Sequence, residues 1–364
     1  MLHTMSAECT RLRCILDSRA AHMGQGRLQG HRSWWIVSAI IAFQLAFSTA
    51  SAGTPVPLTI SGFGDFYFVT PQDSGISGPF QIGQAEVDLS AELGRSVDVN
   101  AAIAYDPSSQ SFQLGAFFAD LHLFGSSGSH FTPVKGIDHS GIIVGKFDVP
   151  FGIDWHVYAS VDRKLVSRPL MVEMTHGGWN DYGAQIYVAT HGIEATVYGT
   201  NGFAYRALDL IASDENDSVE VVMKDAVGTH ISIKPLPELE IGSSYAGFFN
   251  RQDRFDMSLW GTDLQLELGN FAFRGEFVQH SIRLAEGLPG RNRGVYGEAE
   301  YDFGAFFLVD RFDRFWPADH KPSVSRASLG AGARILTGYE LRGEYQITLG
   351  PSEDAAYIQV AMRF

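Results

Sequence analysis

The side chains best placed to do chemistry in this sequence are charges crowded into one segment, residues 153–178. It carries Asp154, Asp162, Arg163, Lys164, Arg168 and Glu173, interleaved with Trp155, His156 and His176. Bond-making needs a nucleophile, a base and a third group to orient the base. No Ser, His and Asn or Asp are spaced to suggest that arrangement, so an enzyme is the least favoured reading. The histidines from His122 to His320 are scattered, and none shows ligand spacing such as H-E-x-x-H. No metal site and no cofactor are expected. The segment's mixed charges suit electrostatics instead: at a narrow neck with low-dielectric walls they focus field and set ion preference. The alternative is an outer loop whose charges face bulk water.

Further charges recur outside that segment at period two. Lys146, Arg274, Glu276, Arg334, Arg342 and Glu344 each sit between small or apolar neighbours. In residues 339–350, Tyr339, Leu341, Tyr345, Ile347 and Leu349 alternate with Glu340, Arg342, Glu344 and Gln346. In residues 257–269, Trp260, Leu264, Leu266 and Leu268 alternate with Asp263, Gln265 and Glu267. This is the period of a β-strand with its charges on one face. Charges so placed either form a dipole across a channel or pair across strands and stiffen its wall.

Sixteen such strands fit between residues 57 and 364, among them 141–152, 227–235, 293–304 and 305–317. Joins alternate in length. Thr190-His191-Gly192, Gly269-Asn270 and Thr337-Gly338 are tight, whereas 70–79, 153–178, 204–226, 284–292 and 318–324 are longer. An even strand count, short turns on one side and long loops on the other describe a transmembrane antiparallel β-barrel with both ends on the short-turn side. Sixteen strands enclose a lumen too wide for side chains to fill, which leaves it water-filled. The charged face then points inward and the apolar face meets lipid. Aromatics near strand ends, such as Phe66, Phe248 and Trp316, would form the interfacial girdles. A secreted all-β solenoid or sandwich is the fallback. Two stretches fit badly. Residues 126–140 are long where a tight turn is expected, which means an elaborated turn or a missed strand pair. Asp310 to Phe315 puts a charge towards lipid in either register, which a bulge or a membrane exit near Asp310 would relieve.

The beginning of the chain reads differently. Trp34 to Phe47 is an apolar run preceded by Arg27, His31 and Arg32 and followed by Ala50 and Ala52 at A-x-A spacing. That is the layout of a secretory signal peptide, and the run is short of the ~20 residues a spanning helix needs. Residues 1–52 are therefore expected to be a leader cut after Ala52, with Met23 an alternative start, and residues 53–364 the barrel. The leader holds both cysteines, Cys9 and Cys14, which excludes a disulfide framework from the remainder. The remainder carries 22 basic and 39 acidic residues, a net charge of −17.

Local motifs narrow the class. Ser61-Gly-Phe-Gly-Asp-Phe-Tyr67 opens the barrel, the strand to Leu123 ends A-D-L-H-L, and Val144-Gly-Lys-Phe-Asp-Val-Pro-Phe-Gly152 follows. In that order these resemble the OmpL-like and phosphate-selective-porin-like group of Gram-negative outer-membrane proteins. The resemblance implies an outer-membrane channel with periplasmic termini, for passive diffusion of small hydrophilic solutes or ions, in many members a homotrimer. Its partners would be outer-membrane lipid, lipopolysaccharide and the barrel-assembly machinery, not nucleic acid. The terminal strand ends on Phe364, which such barrels use as an assembly signal. One departure concerns charge. The resemblance implies a ladder of inward basic residues in the phosphate-selective members, but here the expected lumen face holds fourteen carboxylates against six basic residues. A mild cation preference is expected; a dedicated channel for an organic acid, sugar, phosphate or metal chelate is the alternative.

Overall fold

A sheet whose strands are apolar on one face and polar on the other cannot leave both faces in one solvent. It must gain a second layer or close on itself around one phase. The computed structural model describes residues 56–70, 79–94, 96–107, 109–125, 136–207, 219–249, 256–283, 289–318, 322–349 and 354–364. There the sheet closes into one antiparallel barrel of sixteen strands, each beside its neighbours in sequence. They are β1 (Leu58–Thr70), β2 (Phe80–Glu92), β3 (Val97–Asp106), β4 (Ser111–Gly125), β5 (His139–Asp148), β6 (Asn180–Thr190), β7 (Ile193–Ala207) and β8 (Val219–Leu236). The second half holds β9 (Leu239–Phe249), β10 (Asp256–Leu268), β11 (Phe271–Arg283), β12 (Pro289–Asp302), β13 (Phe306–Trp316), β14 (Val324–Leu336), β15 (Tyr339–Leu349) and β16 (Ala355–Arg363). Two single-turn helices, α1 (Asp154–Val157) and α2 (Leu170–Glu173), lie between β5 and β6.

The faces are sorted as alternation requires. In β13, Phe306, Leu308, Phe312 and Trp316 point outward and are exposed, while Phe307, Val309, Arg311, Asp313 and Phe315 point inward and are buried. Leu329 and Leu349 are 66% and 68% exposed, and they belong to a continuous apolar outer belt with Ile186, Val197, Ile231 and Ile358. Such a belt is unfavourable in water and ordinary in lipid. Tight turns gather on one rim. His191 and Gly192 have φ of 44° and 80°, the paired left-handed geometry of a two-residue hairpin turn. The start of β1 and the end of β16 meet on that same rim. β1 and β16 pair from Phe63–Arg363 to Thr70–Ala356. Beyond them Gly62 and Phe364 exchange both backbone hydrogen bonds, at 3.1 and 3.0 Å.

Several elements depart from the sequence expectation. β5 stops at Asp148 rather than 152, because Pro150 has no N–H to give a ladder. β7 and β8 run on into the expected loop 204–226, to Ala207 and from Val219, which lengthens that hairpin. β13 carries no bulge: Asp310 and Arg314 take ordinary outward positions, and the Arg314 guanidinium lies 5.1 Å from the centre of the Trp316 ring. A cation resting on an aromatic at a strand end is how a barrel carries charge at a membrane boundary. Finally, β4 pairs directly with β5, so no strand is inserted between them in the barrel; residues 126–135 of the long join lie outside the described residues.

Closure through the last residue makes a prediction. Deleting Phe364 removes the two outermost hydrogen bonds of the β1–β16 seam and should lower the fraction migrating as a compact, heat-modifiable band on gels. An unchanged folded yield would exclude an assembly role for Phe364.

Candidate functional site: the segment inside the barrel

Residues 149–179 join β5 to β6, and they pack against the inner wall. The amide of Val149 donates to the Trp179 carbonyl at 2.9 Å, which pinches the two ends together. Asp154, at the start of α1, is buried and accepts from the Gly178 amide at 3.0 Å, a second clasp across the base. The entry to α1 needs glycine at 152: φ is 63°, and a Cβ there would run into the Glu276 carboxylate of β11. The Gly152 amide donates to Ser244 Oγ at 2.9 Å. The end of the G-K-F-D-V-P-F-G motif is thus where the strand stops and the chain turns into the barrel.

A segment with only two single turns of helix leaves most of its backbone carbonyls without partners of its own. The wall supplies the donors. Arg342 of β15 donates to the Ser160 and Val161 carbonyls at 2.5 and 3.3 Å. Arg311 of β13 donates to the Ser167 and Arg168 carbonyls, both at 3.0 Å, and to Ser167 Oγ at 2.7 Å. Arg326 of β14 also donates to the Arg168 carbonyl. Arg363 of β16 reaches the Val161 carbonyl and the Asp162 carboxylate, each at 2.9 Å. Carboxylates on the same wall take the segment's donors: Glu344 accepts from Ser167 N and Oγ at 2.8 and 2.6 Å, and Asp313 accepts from Leu170 N at 2.9 Å. Charge-assisted bonds of this kind are stronger than neutral ones, and guanidinium groups meet two carbonyls at once.

Apolar packing completes the attachment. Leu165 is buried on Phe307 and Val309. Phe151, Met171, Val172 and Trp179 join inward residues of β7 to β12, including Tyr198, Phe248, Leu259 and Val278, in a core within the barrel. His176 lies in it, 4.8 Å from the Phe151 ring, with Nε2 at 3.5 Å from Glu276 Oε1. Burial pulls His176 from its ordinary 6.5 down to about 4. Burial, with His230 nearby, pulls His156 down to about 4 as well.

The opposite side of the segment borders a space of about 570 Å³, lined by the wall from β16 through β1 to β6. Asp65, Tyr67, Gln84 and Glu86 line it from the wall; Tyr158, Arg163 and Arg168 line it from the segment. The two arginines are fixed. Arg163 donates to the Tyr158 carbonyl at 2.9 Å, and the Arg168 guanidinium lies 4.1 Å over the Tyr158 ring. Burial, then the neighbouring Arg168 charge, lowers Arg163 to about 10, still protonated at neutral pH.

The other residues singled out from sequence are dispersed. Lys164 meets Glu340 at 3.3 Å and lies 4.8 Å from the centre of the Phe307 ring. Arg274 pairs with Glu298 at 2.6 Å, and Arg334 with Asp302 at 2.8 Å near a tight turn. Lys146 belongs by register to the outward face, between Phe117 and Tyr182, and bends back to the Leu114 carbonyl at 2.5 Å, at the edge of the same space. Sequence reasoning missed Arg311 and Asp313 as fasteners. Their signal was the charged inward face of β13, hidden by the misjudged register there.

No protein-family model and no curated protein matches the chain. Solved structures match its fold. It is similar to the anion-selective porin from Comamonas acidovorans, with TM-score 0.61, 12% identity, and coverage of 85% of this chain and 99% of that one. The outer membrane channel DcaP of Acinetobacter baumannii gives TM-score 0.59 at 9% identity, over 86% and 99%. A trimer form of OmpT, an outer membrane protein of Vibrio cholerae, gives 0.54 at 8% identity, over 85% and 99%. The chain has the transmembrane barrel fold of bacterial outer-membrane porins.

The buried histidines predict a pH dependence. Their folded pKa lies below the unfolded value, so the unfolded form binds more protons between pH 4 and 6.5. The packing is fully present above pH 6.5 and weakens as pH falls toward 4. Hydrogen exchange in peptides covering 170–179 should accelerate over that window, and His176→Phe should remove much of the effect. Exchange rates that, once corrected for intrinsic chemistry, stay flat from pH 7 to 4 would contradict this.

Proposed function

We propose that this protein is an outer-membrane porin for passive diffusion of small hydrophilic solutes or ions, with residues 153–178 setting the narrowest point. The observation that carries this is the arrangement of the segment: it is fastened to one wall of a sixteen-strand barrel and borders a polar space on the other side. A mild cation preference follows from which charges border that space. Arg311, Arg326 and Arg342 are engaged with the segment's own carbonyls, while the space itself is bordered by Asp65, Glu86, Asp106, Asp148 and Glu173 against Lys146, Arg163 and Arg168. Screening over ~8 Å at physiological ionic strength keeps the preference weak.

Arg163 and Arg168 favour a second reading. Two immobilised guanidiniums on the edge of the space would suit a carboxylate or phosphate, as in a channel dedicated to an organic acid or phosphate. The structural likeness to an anion-selective porin is compatible with it. The remaining parts of the proposal are a leader removed after Ala52, termini facing the periplasm, contacts with lipid and lipopolysaccharide, delivery by the barrel-assembly machinery, and assembly as a homotrimer, the form in which one structural neighbour was solved. N-terminal sequencing of membrane-inserted protein should begin at Gly53; a start that retains Trp34 would refute the leader.

Planar-bilayer recording under a KCl gradient tests the channel. The expected reversal potential has the sign of weak cation preference, grows as salt is lowered, and shrinks in Glu86→Gln. Arg311→Ala should raise single-channel conductance, because the segment loses its fastener while the strand hydrogen bonds stay. Anion preference that strengthens at low salt would replace the first reading with the second. Absence of any conductance would reject both.

A further inference from the structure

The cations inside the barrel are of two kinds. Arg274, Arg311, Arg326, Arg334, Arg342 and Lys164 each have a carboxylate oxygen within 3.5 Å. Arg163 and Arg168 make no ion pair among the described residues, although five carboxylates border the same space. Both are held by one tyrosine instead. Arg163 donates to the Tyr158 carbonyl at 2.9 Å, Arg168 donates to it at 3.5 Å, and the Arg168 guanidinium lies 4.1 Å from the ring centre. Tyr158 is in turn packed on Gly178, where φ is 69° and a Cβ would meet the ring at 2.9 Å. Arg163 is 7% exposed, and its Nε has no hydrogen-bond partner among the described residues. Two like charges held on one carbonyl, one of them buried with a spare donor, are unfavourable until a counter-charge arrives.

The carboxylates around the space are sorted in a complementary way. Glu173 is engaged by Arg326 at 3.6 Å, and Asp148 accepts from Asn180 Nδ2 at 2.8 Å. Asp65 accepts only from neutral amides, Gln84 N at 2.9 Å and Gln359 Nε2 at 2.8 Å, so its charge is fixed in place without a cation. Glu86 makes no ion pair among the described residues. Lys146, at the edge of the space, turns its ammonium to the Leu114 carbonyl. The wall thus presents carboxylates without cations, and the segment presents guanidiniums without anions, around one space of about 570 Å³.

A simple anion would gain from the arginines and be repelled by Asp65 and Glu86. A simple cation would meet the reverse. Only a solute that carries both charges is matched at both sides. Resting on the porin reading, we propose that this space binds small zwitterions, amino acids and short peptides with both termini free. Their carboxylate is taken by Arg163 and Arg168, and their ammonium by Asp65 and Glu86. Guanidinium groups present N–H pairs that suit a carboxylate, and both ends of the solute form charge-assisted hydrogen bonds. The volume falls within the ~300–1,000 Å³ of small-molecule sites, which leaves room for a dipeptide and water.

The test measures influx into proteoliposomes holding the full barrel, confirmed folded by its heat-modifiable band. The solutes are diglycine, N-acetylglycine (anion only) and glycylglycinamide (cation only), each referred to arabinose as an uncharged solute. Diglycine influx should saturate with concentration. Below saturation it should exceed that of either singly charged analogue by about tenfold, the equivalent of one charge-assisted contact. Arg163→Gln/Arg168→Gln should remove the advantage of diglycine over glycylglycinamide, and Glu86→Gln should reduce its advantage over N-acetylglycine. The wild-type comparison decides even if a variant fails to fold. Equal, unsaturable influx of the three solutes would overturn the proposal, as would faster entry of a singly charged analogue or an unchanged ratio in the folded double variant. Loss of arabinose influx as well would reject the porin reading and this proposal with it, whereas arabinose influx without diglycine preference rejects the proposal alone.

Discussion

A backbone that leaves the sheet and enters a barrel must find hydrogen-bond donors for its carbonyls, and in this protein guanidinium groups supply them. Arg311, Arg326, Arg342 and Arg363 come from four consecutive strands, β13 to β16, and all reach carbonyls between Ser160 and Arg168. A buried carbonyl left unmatched costs about 1–3 kcal/mol. Four of them would cost as much as the entire stability of a small domain, about 5–15 kcal/mol. Carboxylates then become necessary in turn. Asp313 and Glu298 flank Arg311, and Glu340 flanks Arg342, so the guanidiniums are not left as isolated buried charges. The acidic surplus of the inner wall is partly the counter-charge of these fasteners.

That constraint divides the interior in two. From β7 to β16 the wall is occupied mainly in holding residues 149–179, by guanidinium–carbonyl hydrogen bonds toward β13–β16 and by apolar packing toward β7–β12. From β1 to β6, joined by Tyr357 and Gln359 of β16, the wall borders open space. Charges of one sign in the sequence therefore have two unlike jobs. Asp65, although beside the space, is itself held by the Gln84 amide and the Gln359 side chain at 2.9 and 2.8 Å, which fixes its carboxylate in place. A fixed carboxylate facing fixed arginines across a polar gap forms a preorganised field whose strength does not depend on side-chain motion.

The barrel was legible in the sequence because its signal is local. Period-two alternation, tight turns with glycine, and the alternation of loop lengths are each contained within about a dozen residues, and together they place all sixteen strands. The segment's charges were legible as a group, but their partners were not. Ser167 and Glu344 are joined over 177 positions, and Val161 and Arg363 over 202. Nothing in either neighbourhood announces the other. The hydrogen-bonded cluster of Asp120, His122, His139 and Tyr187 is hidden for the same reason, since its members come from three strands. In β13 the failure had a different cause. Asp310 and Arg314 suggested a broken register, whereas the strand alternates without interruption and carries two charges outward.

The inward apolar residues are the most instructive departure from simple barrel logic. Phe248, Met257, Leu259 and Val278 lie on the lumen side, where alternation in a wide barrel calls for polar groups. They would be unfavourable against water. They become favourable only because Phe151, Met171, Val172 and Trp179 cover them. Glycines mark the closest approaches: a side chain at Gly294 would collide with Met171, and one at Gly330 with Leu165. A run of strands whose inner face turns apolar, with glycine at intervals, is thus a sequence signature of something packed inside. Here that signature spans β9 to β14, and Phe151, Leu165, Met171, Val172 and Trp179 of residues 149–179 are what it covers.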